Sequence, residues 1–308
     1  MEKIRINLLL GIAVLLMVFS PLSGESISLK ISYNNGAVSK GDLNTWIDSY
    51  NTLWADWRAY NNGQLTGQLE QLKYGSKYEV EIRIPLILGL AFNLAGSHFK
   101  DSKEGAISFA DGTSNQSEND FVRNEIQGIP IKIGLSYSQV LPFSKNLYLF
   151  AGVGRHITFL KYNFFEDTEL KIGDQNSYTL KKDYSYNSEA LGFYVTFGAE
   201  YDLIKQIAIV IEGEKVWSKA DGFKGPYETE FYDPFSNTKT TEEGKASLYF
   251  YEKQHGWSSS YYSSLAGHKT KPSDPEDYPV GVTDIQSLRQ GEIDLSSFSF
   301  KIGIRFKF

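Results

Sequence analysis

Eight stretches of the chain alternate between apolar and polar residues with a period of two. After Ile27, the residues Leu29, Ile31 and Tyr33 share one face, and Ser28, Lys30, Ser32 and Asn34 share the other. Tyr78, Val80, Ile82 and Ile84 oppose Glu79, Glu81 and Arg83. Leu86, Leu88, Leu90, Phe92 and Leu94 oppose Gly89, Ala91, Asn93 and Ala95. Ile129, Ile131, Ile133, Leu135 and Tyr137 oppose Lys132, Gly134, Ser136 and Ser138, and a fifth segment begins with Leu147, Leu149, Ala151 and Val153. Leu191 to Tyr201 and Ile207 to Ile211 repeat the pattern, with Glu200, Asp202, Glu212 and Glu214 on their polar faces. The chain ends on the eighth segment, "SFSFKIGIRFKF". Each segment reads as a β-strand with two unlike faces.

A soluble sandwich buries the apolar face, whereas a membrane barrel turns it to lipid and keeps the polar face inside. Three features favour the barrel. First, the connections alternate in length. Short turns lie at Pro85, at 142–146 and at 203–206, and long connections run over about 39–76, 100–124, 164–187 and 220–290, as periplasmic turns and extracellular loops do. Second, the polar faces carry Gly, small residues and nearly balanced charge: Lys30, Arg83, Lys132, Lys301, Arg305 and Lys307 against Glu79, Glu81, Glu200, Asp202, Glu212 and Glu214. In a narrow interior such groups must pair, because a lone buried charge is costly. Third, aromatics gather near segment ends: Tyr33, Tyr78, Tyr137, Phe143, Tyr148, Tyr162, Phe164, Tyr201, Trp217 and Phe308. Together these predict an all-β chain: a closed eight-stranded antiparallel transmembrane β-barrel with long extracellular loops. Two positions break the pattern. Arg155 falls on the outward phase, where it either lies above the hydrocarbon or follows a bulge, and Ile293 and Leu295 are out of phase with Phe298, which implies a bulge near Ser296.

The N-terminus, "MEKIRINLLLGIAVLLMVFSPLSGES", has a short basic region, an apolar run from Ile6 to Phe19 and a small-residue tail. It reads as a signal peptide over 1–24 for export through the Sec pathway, with the barrel domain over 25–308. There is no Cys, so neither a disulfide scaffold nor a lipidated Cys is available. The net charge of −6 and the lack of a long basic run argue against nucleic acid as a partner.

The leader, the eight alternating segments and the aromatic end resemble small bacterial outer-membrane barrels of the OmpA/OmpX/OmpW-like type. The resemblance covers about 26–308. It implies a cell-envelope protein of a diderm bacterium, set among outer-membrane lipid and lipopolysaccharide and expected to be a monomer. Phe300, Ile302, Ile304, Phe306 and Phe308 resemble the C-terminal signal by which the barrel assembly machinery recognises this family, after delivery by periplasmic chaperones. The family does not fix an activity.

Chemistry in the loops is sparse. In "GDLNTWIDSYNTLWADWRAYNN", Asp42 caps an expected helix whose Leu43, Trp46, Ile47, Tyr50, Leu53, Trp54 and Trp57 form one apolar stripe. This helix either covers the barrel mouth, lies in the outer headgroup layer, or packs on other loops. "GPYETEFYD" and "GKASLYFYEK" are able to pair as a hairpin, followed by the Ser- and Tyr-rich "HGWSSSYYSSL", which suits carbohydrate or protein contact or is simply solvated. His98 near Asp101 and His255 near Ser258 make no specific catalytic motif, and no enzyme, cofactor or catalytic residue is expected. The oxygen-rich "DGTSNQSEND" and "SDPEDYP" lack EF-hand spacing, so no metal ligand is assigned. The reading is a structural or surface-interaction role through loops one and four, with a narrow channel or a lateral route for small solutes as the alternative and an outer-membrane enzyme as a lesser one.

Overall fold

The computed structural model describes residues 26–38, 41–73, 75, 77–112, 115–173, 175–255, 257–268 and 282–308. The expected signal peptide and "SDPEDYP" lie outside them. In chain order the elements are β1 (Ser28–Val38), α1 (Asp42–Tyr60), β2 (Gln64–Thr66), β3 (Tyr78–Pro85), β4 (Leu90–Ser97), β5 (Phe99–Ala110), β6 (Gln116–Val140) and β7 (Leu147–Ile172). Then follow β8 (Gln175–Ile204), β9 (Ile207–Ala220), β10 (Lys224–Asp233), β11 (Thr238–His255), β12 (Tyr261–His268), β13 (Val282–Gln290), β14 (Ile293–Asp294) and β15 (Ser297–Lys307).

Eight strands form a closed ring, β1–β3–β4–β6–β7–β8–β9–β15 and back to β1, antiparallel at every step. These are the strands that hold the eight alternating segments. Closure leaves no free edge among them. Eight strands enclose an interior just wide enough for side chains, and the inward residues explain how that space is filled. Gly134, Gly152 and Gly154 sit where β6 and β7 pair, and a Cβ at Gly154 would stand 2.6 Å from the Gly134 Cα and 2.7 Å from the Tyr194 ring.

The alternation keeps one phase along each long strand, but its chemistry inverts part-way up. On β6 the outward residues are Ile129, Ile131, Ile133, Leu135 and Tyr137 in the lower part, then Gln127, Glu125 and Arg123 above. The inward residues change the other way, from Lys132 and Ser136 to Ile126 and Val122. On β7 the outward change falls between Phe159 and Lys161, and on β8 between Leu191 and Glu189. Register sets these changes side by side, since Ile129 pairs with Phe159 and Phe159 with Glu189. The wall is therefore apolar outside and charged inside below this level; above it the outside is mainly polar and the inside mainly apolar and aromatic, with a few inward charges such as Asp120, Glu166 and Lys182.

Several expectations change. The long connections are not structureless: β5–β6, β7–β8 and β10–β11 continue the wall upward as paired hairpins. The expected hairpin forms with a shifted partner: Gly225, Pro226 and Tyr227 of "GPYETEFYD" oppose Ala246, Lys245 and Gly244, its remainder pairs with 238–243, and most of "GKASLYFYEK" pairs with β12 instead. Leu86 and Leu88 are not in a strand; residues 86–89 form the turn into β4, with positive φ at Leu88 and Gly89 and Leu88 almost fully exposed. No bulge accompanies Arg155, whose neighbours Ile133 and Phe193 pair in unbroken register. Arg155 lies eight residues above Leu147, roughly 20 Å up a tilted strand and near the top of the apolar band. No residue is inserted near Ser296 either: Asp294 opposes Lys219 and Ser297 opposes Val216, in the same register. Ile293 and Leu295 face inward because the interior at that height is apolar. For the same reason Tyr162 and Phe164 point inward; Tyr148 also faces inward, but at the charged lower end, where its ring lies 5.0 Å from the Lys307 ammonium.

Replacing Gly154 by Val should crowd this interior and cost about 1–3 kcal/mol. The expected result is a lower urea midpoint in detergent, with the outward Ala151→Val as an unaffected control.

Candidate functional site

Inside the lower barrel, six basic and six acidic side chains form one continuous column. At its top Lys132 Nζ lies 2.6 Å from Glu79 and 2.5 Å from Glu214. Lys301 Nζ follows, 2.7 Å from Glu79, 2.8 Å from Glu214 and 3.3 Å from Glu212. Lys30 joins Glu212 at 2.5 Å to Glu81 at 2.8 Å. Arg305 joins Glu81 at 3.1 Å to Glu200 at 3.2 Å, and Arg83 donates to Glu200 at 3.3 Å and to the Ser136 hydroxyl at 3.2 Å. Lys307 ends the column between Glu200 at 2.8 Å and Asp202 at 2.5 Å. All twelve face the interior, and the void enclosed between Glu81, Arg83, Glu212 and Arg305 is about 10 Å³, room for about one water at most. Glu79, Glu212 and Glu214 bring carboxylate oxygens within 4.8 Å of one another, as a metal site would. The Lys301 ammonium touches all three, so a protein cation stands where such an ion would sit.

Above the column lies a cavity of about 450 Å³, lined by Lys132, His156 and Glu214 inside and by Tyr33, Asn35 and Lys77 toward the wall. It meets the wall where β3 stops at Tyr78 while its neighbour β1 continues upward.

α1 closes the barrel mouth from within. Leu43, Trp46, Ile47 and Trp54 are buried against inward residues of the extended hairpins, including Val122, Ile126, Leu160 and Leu265. Trp57 and Tyr50 are only partly buried at the edge of this core. The apolar stripe is thus spent on the mouth and the loop strands, and it does not lie among headgroups. Asp42 is the first helical residue rather than the cap, which is Gly41. Its carboxylate accepts two bonds from Arg289, at 2.5 and 2.6 Å, and one from the Glu292 N–H at 2.7 Å, tying the helix start to the far end of loop four. Two asparagines one heptad apart clamp the return segment. Asn44 exchanges bonds with the Leu72 backbone at 2.9 and 3.0 Å, and Asn51 with that of Leu69 at 2.9 and 2.8 Å. Sequence alone shows two polar residues on a helix; only the fold shows that each replaces a missing strand neighbour.

A second chamber, about 490 Å³, lies under α1 between β7, β8, β11 and β12. Its aromatic wall includes Tyr162, Phe164, Tyr184 and Tyr186, and on the same wall Glu166 of β7 pairs with Lys182, its neighbour on β8, at 2.6 Å. Nearby, burial and the adjacent Asp120 and Glu166 push the Glu118 carboxyl up to about 8. The candidate histidines do not assemble. Among the described residues His98 makes no side-chain bond to Asp101, whose carboxylate accepts the Lys73 N–H. Ser258 shares its hydroxyl bond with Tyr262 at 3.1 Å, and the His255 Nε2 has no partner.

A closed ring of eight antiparallel strands with apolar residues outward and a self-neutralising charge column inward is the arrangement of a transmembrane barrel. The architecture is that of an outer-membrane β-barrel. No protein-family model matches the chain, and no curated protein is similar to it in sequence. Solved structures similar to it are the outer membrane protein OprG from Pseudomonas aeruginosa, a major outer membrane protein from Thermus thermophilus and the outer membrane protease OmpT from Escherichia coli. OprG is 8% identical, with 93% of this chain and 98% of that one aligned at a TM-score of 0.37. The Thermus protein is 13% identical, with 92% and 100% aligned at 0.33. OmpT is 12% identical, with 92% and 94% aligned at 0.25. Likenesses this low carry no weight of their own; the inverted faces of the barrel do.

Replacing Lys301 by Met should leave Glu79 and Glu214 short of a partner and cost about 3–5 kcal/mol, with Glu79→Gln in the same chain restoring part of the loss in urea unfolding. The Glu118 carboxyl sets a pH dependence of the opposite sign to an ordinary paired carboxylate. Its folded value of about 8 lies above the unfolded value, about 4.3, so the folded chain holds a proton that the unfolded chain lacks. Stability is fullest below about 4, falls as pH rises and is lost through about 8. Glu118→Gln should flatten that slope, measured as unfolding midpoints from pH 4 to 9.

Proposed function

We propose that the chain is a bacterial outer-membrane protein whose barrel anchors it with a closed lumen and whose enclosed outer half serves surface interaction. The observation that carries this reading is the outward apolar belt around an inward, self-neutralising column. On β6 the belt runs from Ile129 to Tyr137 and on β8 from Leu191 to Tyr201, which is about 20–25 Å of height for tilted strands, close to the thickness of the outer-membrane apolar band. Tyr33, Tyr78, Trp217 and Phe298 stand exposed toward its upper edge, and Phe143, Tyr201 and Phe308 toward its lower edge, as interfacial aromatics do. The short turns then face the periplasm. Phe300, Ile302 and Ile304 face outward on β15, open to the assembly machinery before lipid covers them.

The wall break above Tyr78 and the cavity behind it favour a second reading, a lateral route for small solutes that enters above the charge column. The column itself argues against an open pore.

Heat-modifiable migration on a gel tests the first reading. The chain is expected to require detergent and to run at two positions, folded and heated, and deleting Phe308 should lower the folded fraction in membranes. A chain soluble without detergent that runs at one position would overturn it. Planar bilayers should show no large single-channel conductance, and swelling of liposomes by small solutes would favour the lateral route instead.

A further inference from the structure

We propose that the chamber beneath α1 is a binding site for an acidic sugar, a pyranose bearing one carboxylate. The volume, about 490 Å³, is in the range of ligand pockets and has room for one or two sugar rings.

Three properties of the wall select this chemistry. The first is flat apolar area. Tyr162, Tyr186 and Tyr184 line the chamber as a ladder of stacked rings, with successive centroids 6.1 and 5.7 Å apart and planes 15° from parallel, and Tyr227 continues the ladder beyond the lining at 5.5 Å and 16°. Trp46 approaches from α1, 5.7 Å edge-on to Phe164. Rings of this kind offer a face to the C–H side of a pyranose and a polar tip at its rim. The second is unspent hydroxyl capacity. Tyr50 gives its proton to Asp120 at 2.7 Å and Tyr162 gives its own to Asn124 at 2.7 Å. The hydroxyls of Tyr184 and Tyr186, by contrast, make no hydrogen bond among the described residues, and Ser263 and Ser264 line the β12 side. The third is charge. Glu166, Lys182 and Lys253 are the charged residues lining the chamber, and Glu166 already holds Lys182 at 2.6 Å. Lys253 has no ion pair or hydrogen bond among the described residues. Burial, and then the neighbouring Lys182, push its ammonium down to about 8, with Glu166 opposing the shift only in part. One carboxylate from a ligand would compensate this charge, which no contact among the described residues does.

β12 lies directly on the tyrosine ladder. Gly267 has no room for a side chain, because a Cβ there would run into the Tyr186 hydroxyl and stand 2.7 Å from the Tyr184 ring. This supplies a variant that narrows the chamber without touching its charge.

The proposal rests on the outer half being an interaction module, and the two fail separately, one on a gel and the other by titration. Calorimetric titration of the full chain, folded in detergent, would use D-glucuronate and digalacturonate against D-glucose and cellobiose, with benzoate as a flat anion that is not a sugar. Expected is saturable binding of the uronates at least tenfold tighter than of the neutral sugars and of benzoate. Lys253→Met should abolish the preference and Lys253→Arg should keep it, while Tyr184→Ala and Gly267→Val should lose binding. Should those variants fold poorly, the wild-type preference itself should shrink on adding salt. No saturable uronate binding, equal binding of neutral sugars, stronger binding of benzoate, or a preference that survives Lys253→Met would each overturn the proposal.

Discussion

The lower barrel depends on charge neutralisation in a narrow space that side chains nearly fill. Six ammonium or guanidinium groups and six carboxylates are shared so that every acid touches a base and most touch two. Desolvating twelve charges is expensive, and only multiple short contacts offset it. The column also sets register. Each pair joins different strands, so sliding one strand by two residues would break several contacts at once, and sliding it by one would turn charge toward the outside.

The level at which the chemistry inverts divides the molecule into two regimes on one continuous wall. Below it, the surroundings favour apolar residues outward and the strands hold polar groups inward. Above it, the same strands stand in water and build an ordinary apolar core, which α1 closes with Leu43, Trp46, Ile47 and Trp54. The outer half is thus a small domain whose sides are the barrel strands themselves and whose contents are one helix and the inward faces of loop four. Its chambers are what remain where aromatic side chains cannot fill a cylinder.

Much of this was legible along the chain. The period-two pattern located all eight ring strands, and the near balance of charge on their polar faces pointed to an interior. The helix and its apolar stripe were also visible, because a 3.6-residue period stands apart from a two-residue one. Less legible were the upper strands. "FFEDTELK" and "KKDYSYNSE" lose the apolar–polar signal because there the inward residues are aromatic or charged and the outward ones mixed. Ile293 and Leu295 looked like a register error for the same reason: at their height, inward means apolar. The tyrosine chamber was illegible, since Lys253 lies on another strand more than sixty residues along the chain from Tyr184 and Tyr186.

By itself the sequence determined which residues alternate, where the connections are long and short, and that acids and bases would have to meet. Those properties are local or additive, and a pattern of side chains along one strand is enough to carry them. Which lysine meets which glutamate, which way an aromatic faces above the inversion, and where α1 comes to rest were decided only by the closed ring. Closure brings the first strand against the last and stacks the hairpins around one axis. Distances across that interior have no trace in any single stretch of chain.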